Sequence, residues 1–135
     1  MKKEIIQMYE LIDDLGLKHK KFITGSYAFG LKNYRDIDIC IYTPIGDAFH
    51  LFIDMGMEYN LEYFMEDFKL GEYTIAGIKF HLLIFHKIKE YTKYKKTTRC
   101  IKTLIQKDSS FKQKMKNKTF RVHIFEAFKR YYKDK

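Results

Sequence analysis

Residues 22–42 read FITGSYAFGLKNYRDIDICIY. Two short β-prone runs flank a middle that cannot continue either of them. The first run is a strand over 21–24 (KFIT), stopped by Gly25; residues 26–33 then read as a short helix or turn, loosened by Gly30. The second, Asp36 to Tyr42, alternates and is rich in isoleucine, which predicts another strand. Side chains two apart on a strand share a face, so Asp36 and Asp38 point the same way while Ile37 packs inward. Carboxylates held that close repel each other. A divalent cation removes the conflict, and paired hard oxygens suit Mg²⁺ or Mn²⁺. Upstream, Gly25 permits close backbone approach to a phosphate. The amides of a helix start favour anions, and the Ser26 hydroxyl adds a donor. Nine residues lie between Ser26 and Asp36. A strand, a turn and a returning strand bring both features to one end of a sheet, where the turn can hold a triphosphate tail and the carboxylates a metal bridging it. Taken singly each feature has a plainer reading. Most Gly-Ser pairs simply make turns, and an Asp-x-Asp is usually a solvated strand entrance, here beside Lys32 or Arg35. The spacing of the two together is what is specific.

Around this stretch the pattern reads as one domain, residues 1–135. Ile5, Met8, Ile12 and Leu15 step at helical spacing over 3–15, and Gly16 suits a C-terminal cap. Pro44 and Gly46 close the second strand. Residues 47–58 predict a helix carrying Phe49, Leu51, Phe52, Met55 and Met57, and 59–70 read equally as short helix or loop. Glu72 to Ala76 and Ile78 to His86 form two strands of a hairpin about Gly77. From Lys89 a helix places Tyr91, Tyr94, Thr98, Ile101 and Ile105 on one stripe, with Lys93, Lys96 and Lys102 off it. Asp108 and Ser109 break that helix. Asn117 caps a last one whose buried side includes Phe120, Ile124, Ala127, Phe128 and Tyr131. The order predicts an α+β fold, a small mixed sheet covered by helices with further helices at the C-terminus.

The formal net charge is +9, concentrated in the lysine-rich second half, whereas Asp47 to Glu72 is acidic. Such an excess favours polyanions, although a lysine-rich solvated surface is an equally ordinary source of it. The two cysteines, Cys40 and Cys100, sit in apolar patterns far apart and read as free thiols, with no zinc-type spacing. The N-terminus has no uninterrupted apolar region before Asp13 and Asp14, and no run approaches a membrane span. The expected setting is cytoplasmic, with no membrane partner.

The residues quoted above resemble the motif of the DNA polymerase beta-like nucleotidyltransferase superfamily: Thr24-Gly25-Ser26, then Arg35-Asp36-Ile37-Asp38-Ile39, as in its small bacterial members. The motif covers about twenty residues of the chain by the spacing just described. From KFHLLIF to KTFRVHIFEAFKRYY the later half is also similar to small, often phage-encoded, relatives. The resemblance implies transfer of a nucleoside monophosphate from an NTP to a hydroxyl or phosphate, with Mg²⁺ or Mn²⁺ held by Asp36 and Asp38. It also implies phosphate binding by Gly25 and Ser26, with Arg121 and Lys118 within reach of the triphosphate. The family's third acid falls on a later strand, and here His81 occupies that position. A neutral histidine can ligate or act as a base but brings no negative charge; Glu72 is the alternative acid, with a place at the sheet rim as its plainer role. Two readings follow. One is a transferase with Asp36, Asp38 and His81 in its catalytic set. The other is a catalytically degenerate relative that binds nucleotide, nucleic acid or a partner protein. Nucleic acid and protein are the candidate acceptors. Tyr91 and Tyr94 read as the core edge of their helix, with base stacking as the alternative. His81 and His86 lie five apart, so on a continuous strand they face opposite sides, and His19, His50 and His123 have no convincing partners in the sequence.

Overall fold

The computed structural model describes residues 3–14, 20–31, 36–43, 53, 56–59 and 68–133. Their elements are α1 (Lys3–Asp13), β1 (Lys20–Thr24), α2 (Gly25–Ala28), β2 (Asp36–Tyr42), β3 (Glu58–Tyr59), β4 (Lys69–Ile75), β5 (Ile78–Phe85), α3 (Ile88–Lys107), α4 (Ser109–Met115) and α5 (Lys118–Lys133). The five strands form one mixed sheet in the order β1-β2-β5-β4-β3. β2 and β5 run parallel at its centre, and every other neighbouring pair is antiparallel. This is the expected α+β arrangement, with helices against the sheet and further helices at the C-terminus.

Strand alternation divides the core in two. Ile37, Ile39 and Ile41 of β2 join Phe80, Leu82 and Ile84 of β5 on one face, where Ile5, Met8 and Ile12 of α1 cover them. Each fully buried isoleucine contributes about 1.5 to 3 kcal/mol relative to exposure. On the other face Cys40, Leu83 and Phe85 meet Tyr91 of α3, with Phe22, Phe68 and Tyr94 packed around them. A third cluster ties the end of α2 to the C-terminal helices through Phe29, Leu31, Ile101, Ile105 and Met115. The β4–β5 turn takes Ala76 at φ 51° and Gly77 at φ 82°, the backbone of a two-residue hairpin.

Several sequence-based expectations need correction. Residues 109–115 form a helix, because the Asp108 carboxylate that ends α3 also accepts from Ser110 N and Phe111 N and so starts α4. Glu58 belongs to β3 and not to a preceding helix. On α5, Asn117 does cap the helix, through Phe120 N. Ala127 and Tyr131 nevertheless face solvent, Tyr131 at 55% exposure. Phe125 turns inward with Phe120, Ile124 and Phe128. The stripe is rotated because the ring that meets Phe29 and Tyr94 is Phe125. Gly16, Pro44, Gly46, His19, His50, Lys32, Arg35 and most of the expected helix over 47–58 lie outside the described residues.

Tyr91 is the largest fully buried side chain, and its hydroxyl has no hydrogen-bond partner among the described residues. Burial pushes its phenol up to about 12. A buried hydroxyl without a partner costs about 1 to 3 kcal/mol. Tyr91→Phe should therefore stabilise the fold by about 1 kcal/mol, roughly 3 to 5 °C in Tm. Thermal unfolding of the two proteins followed by circular dichroism checks this, and a lower Tm in the variant would contradict it.

Candidate functional site

The sheet register sets the site. Thr24, Asp38, His81, Glu72 and Glu58 are successive partners across β1, β2, β5, β4 and β3. Directly paired residues present their side chains on the same face. That face is the one under α3, because Thr24 Oγ1 lies 2.8 Å from Thr98 Oγ1. In the middle of the row His81 Nδ1 is 3.0 Å from Asp38 Oδ1, and its Nε2 is 3.5 Å from Glu72 Oε1. Asp36 lies one row on, paired with Lys79, whose Nζ reaches to 3.9 Å from Glu72 Oε2. Asp36 and Asp38 thus share a face, with Ile37 buried on the other.

His81 takes its character from this row. The hydrogen bond to Asp38 raises its pKa above the usual histidine value. Burial works against that rise, while the negative fields of Asp38, Glu72 and Asp36 add to it. Glu72 stands beside the imidazole and is part-buried.

Gly25 closes the row on its other side. Its φ of +74° lies in the left-handed region, and a Cβ built there would run into the Asp38 carboxylate at Oδ2. The turn that follows is short: Phe29 N donates to Gly25 O and Leu31 N to Ser26 O. Only glycine combines that backbone with that approach.

In front of Asp38 opens a cavity of about 330 Å³. Gly25, Ser26 and Asp38 form its sheet end, Phe29, Phe68 and Phe85 line it from outside the helices, and α3 and α5 supply the rest. Lys93, Lys118, Arg121 and Lys129 bring positive charge, and Phe85, Tyr94 and Phe125 bring ring faces. Tyr94 lies between Phe85 and Phe125 at centroid distances of 5.6 and 5.2 Å, with the ring planes tilted by 55° and 36°. Glu90 holds Lys93 through bonds of 3.2 and 3.3 Å. Arg121 Nη1 donates to the Met115 and Lys116 carbonyls, so the guanidinium is anchored where α4 ends.

Of the residues singled out from sequence, Gly25, Ser26, Asp38 and Arg121 line this cavity, whereas Asp36 and His81 lie outside its lining. His86 and His123 are exposed and apart from it. Lys93, Lys129 and Phe125 were not anticipated. Lys93 stands off the buried stripe of α3, where a lysine reads as a solvated charge, and Phe125 lies one position from the expected stripe of α5. Among the described residues no group of three or more His, Cys, Asp or Glu is arranged to hold a metal ion. No described helix is long and apolar enough to cross a membrane.

Comparison with known proteins adds little. No family model matches the chain, and no curated protein matches it. Among solved structures, a cytoplasmic RNA terminal U-transferase is similar at 17% identity and a TM-score of 0.35, over 78% of this chain. The match spans 38% of that protein.

Two measurements test the geometry. Gly25→Ala and Gly30→Ala impose similar backbone strain, since Gly30 also has positive φ (+69°), but nothing stands within 4 Å of a Cβ at Gly30. Each should lose about 1 to 2 kcal/mol from the left-handed backbone, and Gly25→Ala should lose more because it also displaces Asp38. Urea unfolding of both variants reads the difference, and equal losses would mean that Gly25 and Asp38 do not meet.

The second measurement concerns pH. Below the ordinary histidine pKa of about 6.5, His81 is protonated whether the chain is folded or not, and folding gains its attraction to Asp38 and Glu72. That gain disappears as the pH rises through the raised folded pKa, because the folded state then gives up the proton. In metal-free buffer the stability difference between wild type and His81→Gln should be largest near pH 5.5 to 6, roughly one unit below that reference value, and shrink toward pH 8 to 9. A difference that grows with pH would reverse the assignment.

Proposed function

We propose that this chain is a metal-dependent nucleotidyltransferase, moving a nucleoside monophosphate from an NTP to an acceptor hydroxyl or phosphate. One observation supports this above the others. Asp38 stands where the Gly25-Ser26 turn, the His81–Glu72 pair and a cavity lined by cations and aromatic rings come together.

The donor set fits a hard divalent cation. Asp36 and Asp38 offer carboxylate oxygens from one face of β2, and Mg²⁺ is commonly held by one or two carboxylates with phosphate and water completing its shell. Mn²⁺ accepts the same donors. Bound there, the metal would neutralise phosphate charge and polarise the α-phosphate toward attack. The chain's own groups do the rest. The Gly25-Ser26 backbone gives the phosphates close approach, and the Ser26 hydroxyl donates to them. Lys118, Arg121 and Lys129 balance the triphosphate along the cavity, with Arg121 fixed in place by the two carbonyls it already holds. Tyr94 and Phe125 give the base a flat apolar face. His81 is fixed at Nδ1 by Asp38 and directs Nε2 toward Glu72. A proton taken at Nε2 would be stabilised by the Glu72 carboxylate, which suits His81 to general-base work.

A second reading has its own observation. His81 occupies one oxygen of Asp38 and adds no negative charge. A chain arranged in this way can bind nucleotide with metal and transfer nothing.

Incubation with each α-labelled NTP, Mg²⁺ or Mn²⁺, and mixed RNA and protein acceptors separates the two. Transfer is expected, reduced about a hundredfold or more by Asp38→Asn. His81→Ala should lower turnover strongly and nucleotide affinity little, and His81→Asp should keep or raise turnover. Transfer indifferent to Asp38→Asn would sink the proposal. Magnesium-dependent nucleotide binding without transfer would leave the binder.

A further inference from the structure

A second concavity, of about 660 Å³, runs along β1 on the opposite side of α2. β1 is an edge strand, paired only with β2 among the described strands. Lys95, Thr98, Arg99 and Lys102 of α3 line it together with Tyr9 of α1 and Tyr27 of α2. Lys95, Arg99 and Lys102 are spaced i, i+4, i+7 and so share one helix face, over about 10 Å of axis. The plainest account of such cations is a solvated surface, or a charge fence that keeps other strands off the edge. Two features argue for more. Lys21, on the strand itself, is neutralised by Asp13 at 2.7 Å and lies over the Tyr9 ring. The three cations of α3, by contrast, form no ion pair among the described residues. They also converge on a concave surface that holds two tyrosines, whereas a charge fence needs neither concavity nor rings.

We propose that this groove binds single-stranded nucleic acid, with Lys95, Arg99 and Lys102 on the phosphates and Tyr27 and Tyr9 against unstacked bases. Cations that track a backbone beside aromatic faces are what an unpaired strand requires, and a duplex keeps its bases out of reach of such rings. The groove does not depend on the nucleotidyl-transfer reading, because none of its residues belongs to the metal or phosphate set. The two concavities share α2 as a wall, with Gly25, Ser26 and Phe29 lining one and Tyr27 and Ala28 the other. A strand held in the groove therefore lies next to the first site.

The test is fluorescence anisotropy with a labelled mixed-sequence oligonucleotide of about 20 nucleotides, spanning one to a few single-strand sites, in EDTA and without NTP, over a salt series. Binding that weakens steeply with salt is expected. Replacing Lys95, Arg99 and Lys102 together by Gln should reduce the slope of log K against log salt by about 2, at about 0.7 per phosphate contact for single strands. Arg99→Gln alone should reduce it by about 0.7, which keeps the test decisive if the triple variant folds poorly. A control triple, Lys112, Lys114 and Lys116 to Gln, removes the same charge from α4 and its C-terminal cap and should leave the slope unchanged. Equal effects of the two triples, tighter binding to duplex, a preference for anionic vesicles or acidic peptide, or no binding at all would each overturn the proposal.

Discussion

The carboxylate of Asp38 sets the terms for the rest of the molecule. It projects from a central strand beneath α3 with one oxygen on His81 and the other against Gly25. A part-buried carboxylate in such a place is favoured by a hydrogen-bonding partner. His81 provides it from β5, and His81 is opposite Asp38 only because β2 and β5 pair in parallel in one register. That register is held from the reverse side of the sheet. Ile37, Ile39 and Ile41 are buried with Phe80, Leu82 and Ile84 beneath α1. A slip of one residue would turn all of β2 over and bury the aspartates in that layer. The apolar face thus determines where the charged face stands.

The same logic makes α3 the organising helix of the charged side. Tyr91, Thr98, Ile101 and Ile105 fix it to the sheet and to the C-terminal helices. Thr98 meets Thr24 at the row's first position. With that stripe buried, the two flanks of the helix are left to line different concavities. Glu90, Lys93, Tyr94 and Thr97 face the first, and Lys95, Arg99 and Lys102 the second. Part of the lysine excess of the second half of the chain is thus gathered at two concavities, one on each flank of α3.

The fold was largely legible because its strands carry strong local signals. DIDICIY alternates, and the β4–β5 hairpin turns where Gly77 marks it. The pairing of Asp38 with His81 was legible only as a matching position within a resemblance, since parallel register depends on contacts that no local pattern contains. Glu72 shows the limit well. By composition it is an ordinary rim glutamate, and it joins the row because β4 pairs with β5 so that Glu72 falls opposite His81. The rotation of α5 was illegible for a related reason. Its sequence offers apolar residues on several sides, and the choice of Phe125 over Ala127 and Tyr131 is made by Phe29 and Tyr94, which arrive from distant parts of the chain. Helix α4 escaped notice because Asp108, a helix breaker by its side-chain hydrogen bonding, acts here as a cap.

A histidine at this place in the row has a consequence that a further carboxylate would not have. A third carboxylate beside Asp36 and Asp38 would raise repulsion among them and make the row depend on a cation. His81 instead sets one ring nitrogen beside each of two carboxylates, Nδ1 at 3.0 Å from Asp38 Oδ1 and Nε2 at 3.5 Å from Glu72 Oε1, and the hydrogen bond to Asp38 raises its pKa. Protonation of His81 and binding of a cation at Asp38 then compete for the same carboxylate charge, so each opposes the other by linkage. On the proposed reading, Asp36 and Asp38 would hold the cation, and a positive charge there would favour the neutral imidazole, the form of His81 able to accept a proton.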